Sequence, residues 1–552
     1  MMTAQTSTLY GWFNPVRLAG PIFDKELRGA SRHRRSYILR SAYVGLLMAV
    51  MVYFQVVIAR TRSASSGALQ VSRMAEAGKQ AVAVIVWFQF ITGQLLALAL
   101  FSGAIGTEIR QRSLDVLLVT PITSFQIVMG KFLSKVVQLG LLLAVSLPLL
   151  AAVRVFGGVP WDYVISSLCI TLTASLFIGA LSLWVSITQH QTHQVFATSI
   201  SWCLLLWLGL TGVPAVLAYA DWISPGMPRL IARLTIPFRL MAEQTTALFT
   251  SARVSIWPLH CLIMLAATIA LLSLSIWRVR RSAIARIVAR AGKHHAPLKG
   301  RTRSWPWRPA IRRVSGSPVV WKELRRPILS RRRRGWVNWL LLVIAIAAVA
   351  GSFGFLVAVG QDALAGLTYG VSYLLLLVFM INLTTSSAAS IPREKEAHTW
   401  PILLATPLEN REIVRGKAVG AVRRNLVLLM PIPLLIALTL LLNPDNSLML
   451  ESWHLFLVGG LFRTAGNVLF LVGTALCLGT YVKTSTAAVV ATFVVYLGSR
   501  MTLPVPIFLA VGRFSGPAAM VTGGVLQGVV YAVLGWVMLC HATRRVRRNV
   551  FG

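Results

Sequence analysis

Twelve stretches of about 20 apolar residues dominate this chain, at residues 37–59, 81–106, 126–153, 163–187, 194–217 and 255–277, then 336–358, 367–391, 418–442, 453–479, 486–503 and 518–541. A segment of that length crosses the roughly 30 Å hydrocarbon layer of a bilayer as a helix, and a helix satisfies its own backbone polar groups where lipid cannot. Composition agrees. Of 552 residues 56% are apolar and only 13% charged, with a mean hydropathy of +0.70, too oily for a soluble core. The expected fold class is an all-α polytopic membrane protein with about 12 transmembrane helices.

The charged minority is lopsided, with 54 Lys and Arg against 16 Asp and Glu. Residues 278–334 hold nineteen basic residues and one acid, Glu323. Short basic segments stay on the cytoplasmic side, where anionic lipids also attract them. Six spans separate this linker from each end, so both termini are expected in the cytoplasm with the basic clusters at 32–35 and 544–548. Arg60, Arg62, Arg229, Arg233 and Arg239 fall outside, fewer and more scattered. The basic run carries no nucleic-acid recognition motif, so no nucleic-acid partner is expected. Residues 1–36 are polar and arginine-rich, without the apolar core of a cleavable signal peptide. Cys169, Cys203, Cys261, Cys477 and Cys540 lie singly in apolar segments and read as small hydrophobes, not as a metal or disulfide framework.

The chain repeats itself. GPIFDKELR (residues 20–28) returns as SPVVWKELR (317–325), and LLVTPITSFQIVMGK (117–131) returns as LLATPLENREIVRGK (403–417), identical at eight of fifteen positions. Gly179, Val195, Ala197 and Thr198 match Gly473, Val489, Ala491 and Thr492. The offsets of 297, 286 and 294 differ only by loop insertions. Six spans is an even number, so the halves point the same way and relate by an axis along the membrane normal. The expected organisation is a cytoplasmic N-terminus with an interfacial helix (1–36), a first six-span unit (37–277), a basic cytoplasmic linker (278–316), an interfacial helix with a second six-span unit (317–541) and a basic tail (542–552).

The repeated stretches fall in the loops between the second and third spans and just before each first span. Leu114, Leu117 and Leu118 share one helical face opposite Glu108, Gln111, Arg112 and Asp115; Trp400, Leu403 and Leu404 repeat the spacing. Thr120-Pro121 and Thr406-Pro407 read as helix starts, with Glu409 completing a capping box in the second copy. In the KELR elements Ile22, Phe23 and Leu27 can face lipid while Lys25, Glu26 and Arg28 face water; Lys322, Glu323 and Arg325 repeat the charges.

At this point the chain resembles the ABC-2 type permeases of ABC transporters. The resemblance rests on the order KELR element, two spans, E-x(11)-T-P-x(8)-G-K, then four spans. The second motif is Glu108, Thr120, Pro121, Gly130 and Lys131 in one half, and Glu394, Thr406, Pro407, Gly416 and Lys417 in the other. It covers nearly all of residues 20–548. What it implies is an elbow helix before each first span, a coupling helix in each loop between spans two and three that docks on a cytoplasmic ATPase, and one export pathway from two six-span units, here fused. The resemblance further implies a multi-pass protein of a bacterial cytoplasmic or inner membrane and two copies of the ATPase. Pro401 stands where the first half has Asp115, which argues against a continuous coupling helix in the second loop. Glu108 and Arg112 are therefore expected to face the ATPase more than Glu394 and His398 do.

Neither Gly130-Lys131 nor Gly416-Lys417 has the upstream glycine or following Ser/Thr of a phosphate-cradling loop. The chain is accordingly expected to be no enzyme and to bind no cofactor, with ATP and Mg held by the partner subunit. An ion-coupled secondary transporter is the alternative, since such carriers also use two parallel six-span halves; they rely on ionisable residues at mid-membrane. Here mid-span acids are nearly absent. Arg463 is the clearest buried charge and a possible pathway residue, and Arg500 lies near a span end. A polytopic membrane enzyme is a third reading. His190 and His193 lack the acid or cysteine a metal site needs, His294 and His295 sit in the basic linker, and no catalytic motif occurs. The external segment 218–253 carries an amphipathic stretch at 229–241, against only about fifteen residues at the equivalent place in the second half.

Overall fold

The computed structural model describes residues 15–32, scattered positions between 37 and 52, and residues 67–111, 123–154, 159–189, 191–219, 222, 224, 226–250, 256–294, 317–324, 361–429, 432, 447–502 and 517–547. Every regular element among them is helical. The chain forms two compact units, one of residues 1–199 and 203–299, the other of 300–552 with 200–202.

The first unit contains α1 (Pro15–Arg32), α2 (Gly67–Ser102), α3 (Gly106–Gln111), α4 (Ser124–Arg154), α5 (Trp161–Thr188), α6 (Thr192–Tyr219), α7 (Met227–Thr235), α8 (Pro237–Thr250) and α9 (Trp257–His294). The second contains α10 (Pro318–Leu324), α11 (Gln361–Ala388), α12 (Pro392–Glu396), α13 (Trp400–Leu404), α14 (Asn410–Asn425), α15 (Ser447–Tyr481), α16 (Ser485–Thr502) and α17 (Pro517–Arg545). Six described stretches are long and apolar enough to cross a membrane: Gly78–Ile109, Ser124–Pro148, Trp161–Thr188, Trp257–Arg281, Gly459–Tyr481 and Thr522–Arg545. Leu375–Ala388 and Ser485–Arg500 are shorter apolar helices. The expected span at 336–358 lies outside the described residues, and the one at 37–59 is described only at scattered helical positions, where Tyr43 stacks on Phe88 of α2 at 6.3 Å.

Two boundaries differ from the sequence expectation. The stretch expected as a span at 418–442 is described only through 429 and at 432, and it opens inside α14, whose last turn carries Arg423 and Arg424. Helix α9 continues past residue 277 into the basic linker, and its 38 residues make a rod of about 57 Å, longer than a bilayer core.

The fourth span is the hub of each unit. α5 packs against α2, α4, α8 and α9, and α15 against α11, α14, α16 and α17. α5 buries most of its hydroxyls by turning them onto its own backbone. Ser166, Ser167, Thr171, Ser175 and Ser186 donate to carbonyls three or four residues back at 2.7–3.1 Å, so they need no partner across the interface.

The hubs seat their partners differently. α15 and α17 meet backbone to backbone: a Cβ at Gly466 would lie 2.1 Å from the Gly528 carbonyl oxygen, and one at Gly473 2.2 Å from that of Gly535. Small residues permit this approach, and it maximises van der Waals contact where lipid supplies no hydrophobic drive. The GxxxG pair Gly524 and Gly528, with glycines seven apart at 459, 466 and 473, was the sequence signal for it. In the first unit Gly179, the counterpart of Gly473, receives the Phe101 ring instead, whose Cε2 would lie 2.7 Å from an added Cβ.

A backbone cannot yield as a ring can. Gly473→Ala is expected to destabilise the protein by about 1–3 kcal/mol, and Gly179→Ala by less, measured by thermal unfolding in one detergent. Equal losses at the two positions would show that the seam is not backbone-tight.

Candidate functional site

Three charged residues from the two repeated motifs meet at one point in each unit. In the first, α1 lies along α4, and Glu26 of α1 reaches Lys131 of α4 at 3.3 Å and Lys135, one turn further, at 3.1 Å. Glu108 of α3 closes on the same Lys131 at 3.0 Å. In the second, α10 lies along α14. There Lys417 pairs with Glu394 of α12 and stands 4.0 Å from Glu323 of α10. Each lysine is thus shared by the KELR acid and the loop acid.

The lysines are almost fully enclosed, with side chains 4% and 6% exposed. An ammonium so placed requires anionic partners, because burying it alone is far costlier than burying a satisfied pair. Burial acts to raise the Glu26 carboxyl, but Lys135 and Lys131 together outweigh it and hold the group below its ordinary value of 4.5. Loop acid and lysine are 23 residues apart in both halves. That shared separation keeps the loop the same length between its two tethers.

The glycine before each lysine has a separate task. A Cβ at Gly416 would lie 2.6 Å from Val319 Cγ1 and 3.2 Å from the Val320 backbone nitrogen, and one at Gly420 2.6 Å from Glu323 Cβ. Without those side chains α10 can lie close enough for Glu323 to approach Lys417. Gly130 is likewise buried.

Several expectations are revised. Glu26 and Glu323 do not face water; they turn inward to the lysines, while Lys25 and Lys322 are exposed and Arg28 pairs with Asp24 at 2.7 Å. Glu108 and Glu394 face Lys131 and Lys417, so their carboxylates serve attachment within the unit. Thr406 does not cap the next helix. Its hydroxyl donates to the Leu403 carbonyl at 2.5 Å, and α14 begins after Glu409, whose side chain makes no capping bond. In the first half the capping box sits at Thr123 and Gln126: the Thr123 amide donates to Gln126 Oε1 at 3.1 Å and the Gln126 amide to Thr123 Oγ1 at 3.3 Å. The T-x-x-Q spacing was legible; the Thr-Pro pair three residues earlier obscured it. Arg112, Thr120, Pro121 and Arg325 lie outside the described residues, and Pro407 is exposed. Arg463, expected to be buried, is exposed on α15 beside Leu461 and Phe462, near the middle of that helix.

The second loop is broken, as Pro401 requires. α12 ends in a Schellman turn: the Thr399 amide donates to the Glu394 carbonyl at 3.0 Å, the His398 amide to that of Lys395 at 3.1 Å, and His398 takes φ 55°. Pro401 then sits in the first turn of α13, where a missing N–H is harmless. Trp400 is buried at 2% while Ile402 projects at 68% exposure, with Pro401, Ala405 and Pro407 also exposed around it. The result is a small apolar knob on a buried tryptophan root.

The segment expected to be external folds, where described, as two helices, since Pro237 ends the stretch expected at 229–241 and starts α8. α7 and α8 pack together, α7 on α9 and α8 on α2 and α5. Arg233 Nε donates to both Glu243 oxygens at 2.7 Å, and Trp87 Nε1 donates to Thr245 at 3.0 Å.

Lys131→Met would remove the buried cation that Glu26 and Glu108 share and is expected to remove about 3 kcal/mol, the low end for a broken buried pair because the acids keep some exposure and Glu26 keeps Lys135. A double-mutant cycle with Glu108→Gln tests this; additive losses would mean the pair is not energetically coupled. Because the native Glu26 carboxyl titrates below its ordinary value, the stability it contributes is present above pH 4.5 and lost as pH falls through the native value. Glu26→Gln should flatten that acid limb in melting profiles.

Residues 21–282 and 317–520 each match the profile described as ABC-2 family transporter protein. A comparison with curated proteins finds no match. The two matches cover most of the chain, one in each half, and the chain belongs to the ABC-2 family of transporter proteins, as a multi-pass membrane protein of the permease type.

Proposed function

We propose that this chain carries both halves of the membrane domain of an exporter, twelve spans in all, driven by a separate ATPase that binds ATP and Mg and acts as two copies, one on each loop. The observation that carries this reading is the shared lysine. A loop tied through one buried charge to the elbow helix and to the third span cannot be displaced without dragging both. Phosphoryl-transfer energy delivered to the loop therefore has a path into the spans. The knob at Ile402 supplies the second loop with a docking point, a role the sequence alone gave to charged residues.

Orientation has independent support. In each unit the end that carries the triad also carries arginines over aromatic rings. The Arg278 guanidinium lies 4.8 Å from the Trp184 ring of α5, Arg281 5.2 Å from Trp277, and Arg545 3.6 Å from Tyr481. Such rims suit the headgroup level of the cytoplasmic leaflet, where anionic lipids add to their hold. On this reading both termini and both loops are cytoplasmic, in the inner membrane of a bacterium, and the α7–α8 hairpin is external.

Two experiments test it. Tagged full-length chain purified from its own membranes should bring down an ABC ATPase, and Ile402→Asp should reduce that recovery at least tenfold without lowering the melting temperature. Transport in sealed vesicles that runs on an ion gradient with no nucleotide would overturn the reading in favour of a secondary carrier. A cysteine placed at Ser304 should be labelled only from the cytoplasmic face.

A further inference from the structure

The two loops are not equally attached. In the second unit Lys395 Nζ reaches the carbonyls of Thr480 at 2.7 Å, Gly479 at 3.3 Å and Val482 at 3.5 Å, where α15 ends. The next residue, Glu396, accepts from the Ser485 amide at 2.8 Å and from its hydroxyl at 2.9 Å, where α16 begins. A cation thus meets the free carbonyls of one helix and an anion the free amides of the next, each matching the partial charge of that helix end. One Lys-Glu dipeptide grips both sides of the three-residue turn between α15 and α16. The seat is close: a Cβ at Gly479 would lie 3.2 Å from Pro392 Cδ. The chain's tail adds a further hold, with Arg547 Nη2 donating to the Leu408 carbonyl at 2.9 Å.

In the repeat, Ile109 and Arg110 occupy the places of Lys395 and Glu396. Isoleucine has nothing to donate to a helix C-terminus, and arginine brings the wrong sign to a helix N-terminus. The first loop cannot form the grip, although its triad is intact.

We infer that Lys395 and Glu396 are positioning residues that latch the second loop to the α15–α16 turn, so that this loop moves as one body with α10, α14, α15 and α16, whereas the ion pairs of the first loop, among the described residues, tie it to α1 and α4. The inference rests on the reading that an ATPase pushes on both loops. Under it the fused halves take unequal strokes: the second loop drives the hub helix directly, the first reaches its hub only through packing.

Hydrogen exchange on the full-length protein in nanodiscs tests the latch without a partner. Amides of 393–396 should exchange at least tenfold more slowly than those of 106–110 in the unaltered protein, and equal rates would overturn the inference. Lys395→Met with Glu396→Gln should raise exchange at both 393–396 and 485–489 by tenfold or more while leaving 106–110 unchanged; an effect confined to one segment would also overturn it. Lys395→Gln alone serves if the double variant folds poorly, with the same two segments read. With the ATPase bound, the double variant should keep binding but lose at least fivefold of the permease-dependent stimulation of ATP hydrolysis, and Lys395→Arg should restore it. Should no ATPase bind the unaltered chain, the reading of its function fails while the exchange result still judges the latch.

Discussion

A lysine ammonium held out of water by two carboxylates is the constraint on which each half of this protein depends. Desolvation makes such a contact close to all-or-none, since a partial slip leaves a charge unmatched in a poorly polarisable setting. Elbow helix, loop and third span therefore share one position. Apolar packing alone would let helices slide over one another at small energetic loss; a shared ion pair does not. The same device appears twice, with lysines 131 and 417 and glutamates 26, 108, 323 and 394.

Around that common element the two halves have diverged in stiffness. α15 meets α17 through glycines whose added Cβ atoms would fall within 2.5 Å of the opposing backbone at Gly466, Gly473 and Gly528, and that seam cannot adjust. α5 meets a phenylalanine ring at the equivalent glycine, and a ring can turn. Lys395 and Glu396 add charge-matched contacts to the second hub that Ile109 and Arg110 cannot supply to the first. Internal repetition preserved the ion-paired junction and let the surroundings differ.

Much of the architecture was legible in the residues. Apolar length located the six spans found among the described residues, and two copies of E-x(11)-T-P-x(8)-G-K disclosed the repeat. Pro401 announced the break that the Schellman turn at His398 completes. The charged positions stood out in the sequence, but their partners did not. An amphipathic wheel puts Glu26 with Lys25 and Arg28 on a wet face, and only the neighbouring α4 shows that Glu26 lies at the seam while its neighbours stay outside. Thr406 is not the cap because its hydroxyl turns back to the Leu403 carbonyl and the helix starts later, at Asn410 after Glu409.

Sequence by itself determined the spans, the duplication and the membership of the family, because each depends on patterns a few to a few tens of residues long. Tertiary structure decided what the repeated charges do. Glu26 and Lys131 are 105 residues apart, and whether two such groups attract depends on helices approaching within a few ångströms, a distance no local pattern encodes. The glycines at 416 and 420 set that distance in the second unit, and only with α10 in place do they read as the floor beneath an ion pair.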